Sequence, residues 1–175
     1  MCLTDDEELG RKLKVYRDHG MSKSRRYYHD VIGYNYRMTN LQAAIGTAQV
    51  EHIDDILEWR GHLEGLYEEK FKDDCRITMQ RRDLPNRKKI AWLVSILVDE
   101  NMRDRVMEEL KVNDIDARPF FVPLNQMDIY KSYAGECPVS EAISKTGINL
   151  PTTCERGKER VDKIYAVINS VLTNG

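Results

Sequence analysis

Between His29 and Gly46 the chain reads HDVIGYNYRMTNLQAAIG. The junction in the middle of that run constrains the fold more than any other stretch. Thr39 and Gln42 stand at capping-box spacing, so the Thr hydroxyl can accept from one orphan N–H of a helix start while the Gln amide reaches back to another. Leu41, Ala44, Ile45 and Ala48 then recur at helical spacing. The pattern predicts a helix entered from a loop rich in Tyr, Arg and His. A loop held that firmly can present Asn35 and Arg37 to an anion.

The apolar stripe continues through Ile53, Ile56, Leu57, Leu63, Leu66, Tyr67 and Phe71. It predicts one helix from Thr39 to Phe71, roughly 50 Å long at 1.5 Å per residue and able to cross from one domain to another, with Gly61 as a point for a bend. Upstream, Met1–Thr4 reads as the end of a buried strand. Thr4 and Glu7 repeat the capping-box spacing before an acidic first turn. Leu9, Leu13 and Tyr16 follow at helical spacing, and His19–Gly20 is a helix stop because Gly tolerates the left-handed cap. Met21–Arg37 has no period and reads as an ordered loop.

Downstream, Arg76–Arg81 alternates like a strand, and Asp83–Lys89, with Pro85 and many charges, reads as a turn. Ile90–Val98 is short, β-branched and flanked by charge, the pattern of a buried strand. Asn101 is placed to cap a helix to about Leu110, with Met102, Val106, Met107 and Leu110 inward. Ile115–Phe121 returns as a strand limited by Pro119 and Pro123. Val161, Ile164, Tyr165, Ile168, Val171 and Leu172 form an amphipathic closing helix. The expected class is α/β, in the form of an α+β fragment. Its expected parts are 1–38, which has little sheet of its own, a connecting helix over 39–72, and a small α+β domain over 73–175.

A chain of 175 residues can bury a real core. Its net charge of −2 gives no basis for nucleic-acid binding. No apolar run approaches the ~18 residues of a membrane span, and the acidic MCLTDDEELGRK start lacks an apolar signal core. Cys2, Cys75, Cys137 and Cys154 are widely separated and form no CxxC pair, which fits free thiols in a cytoplasmic protein and gives no metal site.

Four kinds of side chain can carry binding chemistry, and each has a plainer reading beside it. The Asn35 amide offers two neutral donors for a phosphate; it can equally shape a turn after Gly33. Arg37 suits a bidentate contact to phosphate or carboxylate, or a surface ion pair. His29, next to Asp30, can bind a ligand hydroxyl or tune a proton transfer, or be satisfied by a backbone carbonyl. Tyr27, Tyr28, Tyr34 and Tyr36 suit either a wall for a bound ligand or interface packing.

Three separated motifs carry a resemblance: GYNYRMTNLQAAIG, then RPFFVPLNQMDIY (Arg118–Tyr130), then CPVSEAISKTGINLP (Cys137–Pro151). In that order they resemble the DegT/StrS family of pyridoxal-phosphate (PLP) sugar aminotransferases, nearest its perosamine-synthase-like members. The resemblance implies the C-terminal part of a fold-type I PLP-dependent transferase, lacking most of the large cofactor domain. It implies amino transfer from glutamate to a nucleotide-linked 4-keto-6-deoxy sugar in polysaccharide or O-antigen biosynthesis, with GDP as the first expectation for the nucleotide.

By the same resemblance, Asn35 contacts the phosphate of a partner subunit's PLP in a homodimer. His29, Tyr34, Arg37 and Asn125 face substrate. The family's cofactor lysine precedes residues like Met1–Asp5; Lys23, in the solvated MSKSRR loop, is not in its context. The expectation is therefore no catalytic residue in this chain, no PLP bound by it alone, and activity only with a missing N-terminal half, as from a split gene. The alternative is a non-catalytic dimerisation or interaction module. Many members carry His where this chain has Asn125, and Cys137 before Pro138 reads as a buried thiol.

Overall fold

The computed structural model describes residues 2–80, 85–152 and 157–174. Parts of four expectations fall elsewhere: Met1, Arg81, Asp83 and Cys154 lie outside the described residues. The chain divides into two compact units, Met1–Ile53 and Asp54–Gly175.

In the first unit, helix α1 (Glu7–Arg17) is capped by Asp6, which accepts from the N–H groups of Glu8 (2.8 Å) and Leu9 (3.0 Å). Thr4, the cap expected from its spacing to Glu7, instead accepts from the Asp6 N–H at 3.1 Å. A carboxylate beside the positive helix end is favoured by the dipole, which a hydroxyl answers less well. Cys2–Thr4 is not a strand, and Leu3 is 86% exposed. The stop at His19–Gly20 is present: Gly20 has φ 68° and its N–H bonds to Val15 O at 2.9 Å.

Helix α2 (Asn40–Glu51) begins with the full capping box. Thr39 N–H donates to Gln42 Oε1 at 2.9 Å, and Gln42 N–H to Thr39 Oγ1 at 3.3 Å. The helix expected to run on to Phe71 is interrupted at His52 (φ −107°, ψ 13°). Its N–H turns to Val50 O, out of the helical ladder. Helix α3 (Ile53–Phe71) follows, and Gly61 lies inside it without a break. No side chain of α1 or α2 is buried, so the first unit is organised by backbone hydrogen bonds.

The second unit has a core. Strands β1 (Thr78–Met79), β2 (Val94–Leu97), β3 (Arg118–Pro119) and β4 (Gly147–Leu150) form an antiparallel sheet in the order β1-β2-β4-β3. Ser95 pairs with Asn149 and Ile96 with Ile148 at its centre. Helices α4 (Glu100–Val112), α5 (Pro138–Thr146) and α6 (Gly157–Thr173) complete the unit with α3. Leu63, Tyr67 and Phe71 of α3 join Val106 and Leu110 of α4, Ile164 and Ile168 of α6, and Ile96 and Ile148 of the sheet in one buried cluster. Lys70 of α3 pairs with Asp162 of α6 at 2.6 Å.

Three expectations are corrected here. Ile90–Leu93 is not strand. Arg60 Nη1 takes the carbonyls of Ala91 (3.4 Å) and Trp92 (3.3 Å), which therefore leave the ladder to Val94–Leu97. Helix α4 is capped by Asp99, which accepts from the Asn101 N–H at 2.9 Å, so Asn101 itself lies inside the helix. Cys137 is exposed, because it is the N-cap of α5 with Pro138 in the first turn rather than a core position. Cys2 and Cys75 are likewise exposed free thiols.

Candidate functional site

The loop between α1 and α2 is built on a close crossing of two glycines. A Cβ on Gly33 would lie 2.0 Å from Gly20 N, and one on Gly20 would lie 1.9 Å from Val31 O. Only residues without a side chain allow that approach. The crossing lays residues 28–36 along 16–22. His19 N–H donates to Tyr34 O at 3.0 Å, Tyr34 N–H to Tyr16 O at 2.7 Å and Tyr36 N–H to Arg17 O at 3.0 Å. Single β-bridges join Asp18 to Asn35 and Met21 to His29.

This scaffold collects four of the five expected site residues. Asn35 is exposed, and its side chain makes no hydrogen bond among the described residues. Its backbone is held at Asp18, so the amide is presented on a fixed frame. Arg37 Nε lies 3.4 Å from Asp18 Oδ1, with both side chains open to water. His29 Nδ1–H donates to the His19 carbonyl at 2.8 Å, which assigns the proton to Nδ1 in the neutral ring and leaves Nε2 as the acceptor. Tyr34 stacks on Tyr36 with centroids 5.2 Å apart and planes 10° apart.

Asn125 belongs to the second unit. It sits in a short 3-10 turn (Leu124–Gln126), and its Nδ2 donates to Gly135 O at 3.1 Å and Glu141 Oε1 at 2.7 Å. Both amide hydrogens are used in tying that turn to α5. The Glu141 partnership was not read from the sequence: the two residues are 16 apart, and neither helical nor strand spacing links them. The Gly20–Gly33 crossing was missed likewise, since each glycine alone signals only a turn.

The second unit holds a further polar network. Arg76 donates to both oxygens of Asp74 (Nε 2.8 Å, Nη2 2.7 Å), to Asn169 Oδ1 (2.6 Å) and to Thr173 Oγ1 (3.1 Å), and Tyr165 O–H donates to Asp74 at 3.2 Å. The guanidinium holds the Asp74 carboxyl below the usual carboxylate range, against the opposing effect of burial. An open cavity of ≈ 550 Å³ lies beside it, lined by Arg76, Thr78, Asp99, Met102 and Thr146 among others, and none of the expected site residues faces it. No group of three or more potential metal ligands occurs among the described residues.

A mixed helix-and-antiparallel-sheet unit, preceded by a capped helix and a strapped Asn-Tyr-Arg loop, is the C-terminal architecture of a PLP-dependent aminotransferase. Residues 1–169 match the DegT/DnrJ/EryC1/StrS aminotransferase family, and the chain belongs to it. It is 35% identical to GDP-perosamine synthase of Caulobacter vibrioides over 98% of this chain and 47% of that protein. It is 33% identical to GDP-perosamine synthase of Escherichia coli O157:H7 over 97% of this chain and 46% of that protein. Among solved structures it resembles a DegT DnrJ EryC1 StrS aminotransferase from Brucella abortus (TM-score 0.77, 28% identity, 96% of this chain and 44% of that one). It shares the fold of Helicobacter pylori PseC, an aminotransferase of pseudoaminic acid biosynthesis (TM-score 0.84, 24% identity, 98% and 48%). The chain spans about half the length of the relatives it matches.

Proposed function

We propose that this chain supplies the C-terminal part of a cytoplasmic, PLP-dependent nucleotide-sugar 4-aminotransferase that moves an amino group from glutamate to a GDP-linked 4-keto-6-deoxy sugar for O-antigen-type polysaccharide. The observation that carries this reading is Asn35: an exposed amide, unbonded among the described residues, on a loop strapped at Asp18. That geometry fits one donor to the cofactor phosphate. When bound, PLP supplies the electron sink for amino transfer.

The chain's own residues have narrower tasks. Asn35 donates to a phosphate oxygen. Arg37 supplies a cation for a substrate carboxylate or phosphate. His29, with its proton on Nδ1 held by His19, accepts a hydrogen bond from a sugar hydroxyl at Nε2, and Tyr34 offers its ring face. Asn125 holds its own turn through Gly135 and Glu141.

The two 33–35% relatives named GDP-perosamine synthase support GDP over other nucleotides. The first unit supports an assembled form. It has no buried side chain in α1 or α2, and Leu41, Ile45 and Val50 of α2 are exposed. Such a unit needs further protein to cover it, and we assign that role to a homodimer together with the part of the relatives that this chain does not span.

The test is to co-produce the chain with the N-terminal half of the Caulobacter relative and assay sugar-dependent release of 2-oxoglutarate from glutamate. Release that requires both parts is expected. A complex that forms and releases none would overturn the reading in favour of an interaction module without chemistry.

A further inference from the structure

The open cavity beside Arg76 has the volume of a small-molecule site. Its ≈ 550 Å³ falls inside the roughly 300–1,000 Å³ that such sites occupy. Leu97, Val98, Met102 and Leu172 form its apolar floor. Arg76 and Thr78, at the start of β1, and Asp99, just past the end of β2, supply polar walls. Thr78 pairs with Leu97 across the two strands. Arg76 stands two residues before Thr78, and Asp99 two residues after Leu97. The antiparallel pair therefore brings both charges to one end of the sheet edge.

The two charges share the cavity without meeting. Arg76 donates to Asp74 through Nε and Nη2, to Asn169 through Nη2 and to Thr173 through Nη1. Those contacts use all but one of the guanidinium N–H groups, and the one left is on Nη1. Asp99 Oδ1 accepts from the Asn101 N–H at 2.9 Å and from its Nδ2 at 3.0 Å. Among the described residues, Asp99 Oδ2 accepts from nothing, the Thr78 hydroxyl is unbonded, and no ion pair joins Arg76 to Asp99. A cationic donor, a hydroxyl and an anionic acceptor thus border one apolar floor.

We propose that this cavity binds a free α-amino acid with an apolar side chain, leucine being the simplest case. The ligand carboxylate takes the Arg76 Nη1–H and the Thr78 hydroxyl. The ligand ammonium takes Asp99 Oδ2, and the side chain covers Leu97, Met102 and Leu172. One charge of each sign on the same small molecule answers both walls with charge-assisted bonds. A ligand with a single charge leaves one wall unmatched. An acidic side chain, as in glutamate, would set a carboxylate against the apolar floor, where it loses its water without gaining a partner. The inference does not rest on the reaction proposed above.

The test is a titration of the intact chain with L-leucine, followed by amide NMR. Saturable shifts are expected over Arg76–Met79, over Leu97–Met102 and at Leu172. N-acetyl-leucine lacks the ammonium, leucinamide lacks the carboxylate, and L-glutamate adds a charge. Each should bind weaker than leucine by about tenfold or more, the worth of one charge-assisted contact. Asp99→Asn keeps the cap of α4, because Asn caps a helix as well as Asp does. It should weaken leucine binding by about tenfold with the thermal midpoint unchanged. Thr78→Val, at an exposed position, serves if Asp99→Asn does not fold, and should weaken binding by about threefold. The absence of saturable shifts at millimolar leucine, or shifts centred elsewhere, would overturn the site. So would equal affinity for leucine and its two blocked forms, glutamate binding as tightly as leucine, or unchanged affinity in both variants.

Discussion

Arg37 Nε stands 3.4 Å from Asp18 Oδ1, and the backbone of Asp18 is bridged to Asn35, so the cation and the amide are indexed to the same residue at the end of α1. The ion pair itself is loose and open to water, and such pairs contribute under about 1 kcal/mol. Asp18→Asn and Arg37→Gln should therefore barely move the thermal midpoint, and a double-mutant cycle should show coupling near zero. In the assembled enzyme, Arg37→Gln should lower kcat/KM for amino transfer while Asp18→Asn does not. Equal losses from both would mean that the pair acts through folding.

The glycine crossing sets a harder limit. Gly33→Ala places a methyl 2.0 Å from Gly20 N, against backbone that has no flexible end to yield. The loop must open, at a cost of the order of overpacking, about 1–3 kcal/mol. Hydrogen exchange should show lost protection at the amides of His19, Asp30 and Tyr34, with the amides of β2 and β4 unchanged. Retained protection would mean that the crossing relaxes without cost.

Much of this architecture was legible in the sequence, for identifiable reasons. The Thr39–Gln42 cap, the His19–Gly20 stop and the closing helix rest on contacts within a few residues, which spacing reports directly. Some failures were local, as where Asp6 and Asp99 rather than Thr4 and Asn101 cap their helices, and another was decided by a distant group. Ile90–Leu93 has strand composition, but Arg60, some thirty residues earlier, takes its carbonyls. The break at His52 has no proline or glycine to announce it. At the candidate site, Asn35, His29, Tyr34 and Arg37 were readable as one motif because they are neighbours in the chain. Their support from Asp18, His19 and Gly20 exists only in the fold.

Asn125 joins the turn at Leu124–Gln126 to α5 through Glu141 Oε1 at 2.7 Å. Asn125→Ala and Glu141→Ala should each destabilise the second unit by about 1–2 kcal/mol, and together by less than the sum, since they remove the same bond. Denaturant melts of the four cycle members would show it. Strict additivity would place the two residues in separate roles.

Asp74 makes stability depend on acid. Because Arg76 depresses its folded pKa, the native chain binds fewer protons there than the unfolded chain does. Its contribution is complete above the unfolded value of about 3.9 and is lost as pH falls through the lower folded value. The unfolding free energy should therefore fall on acidification below pH ~4. Asp74→Asn should be less stable at neutral pH and show a shallower fall in that window. Parallel curves for the two proteins would assign the acid sensitivity to other carboxylates.

Asn35 should matter to the cofactor rather than to folding, because its side chain bonds nothing among the described residues. Asn35→Ala should leave the thermal midpoint of the cofactor-free chain unchanged. In the assembled enzyme it should weaken PLP retention by about 1.5–3 kcal/mol at most, the worth of a hydrogen bond to a charged group. The sharper measurement mixes this variant with a subunit lacking the cofactor lysine. If the loop serves the neighbouring subunit, each mixed dimer has one site with both defects and one with neither, so activity should partly return. No recovery, once mixed dimers are shown to form, would place Asn35 in its own subunit's site or outside any site.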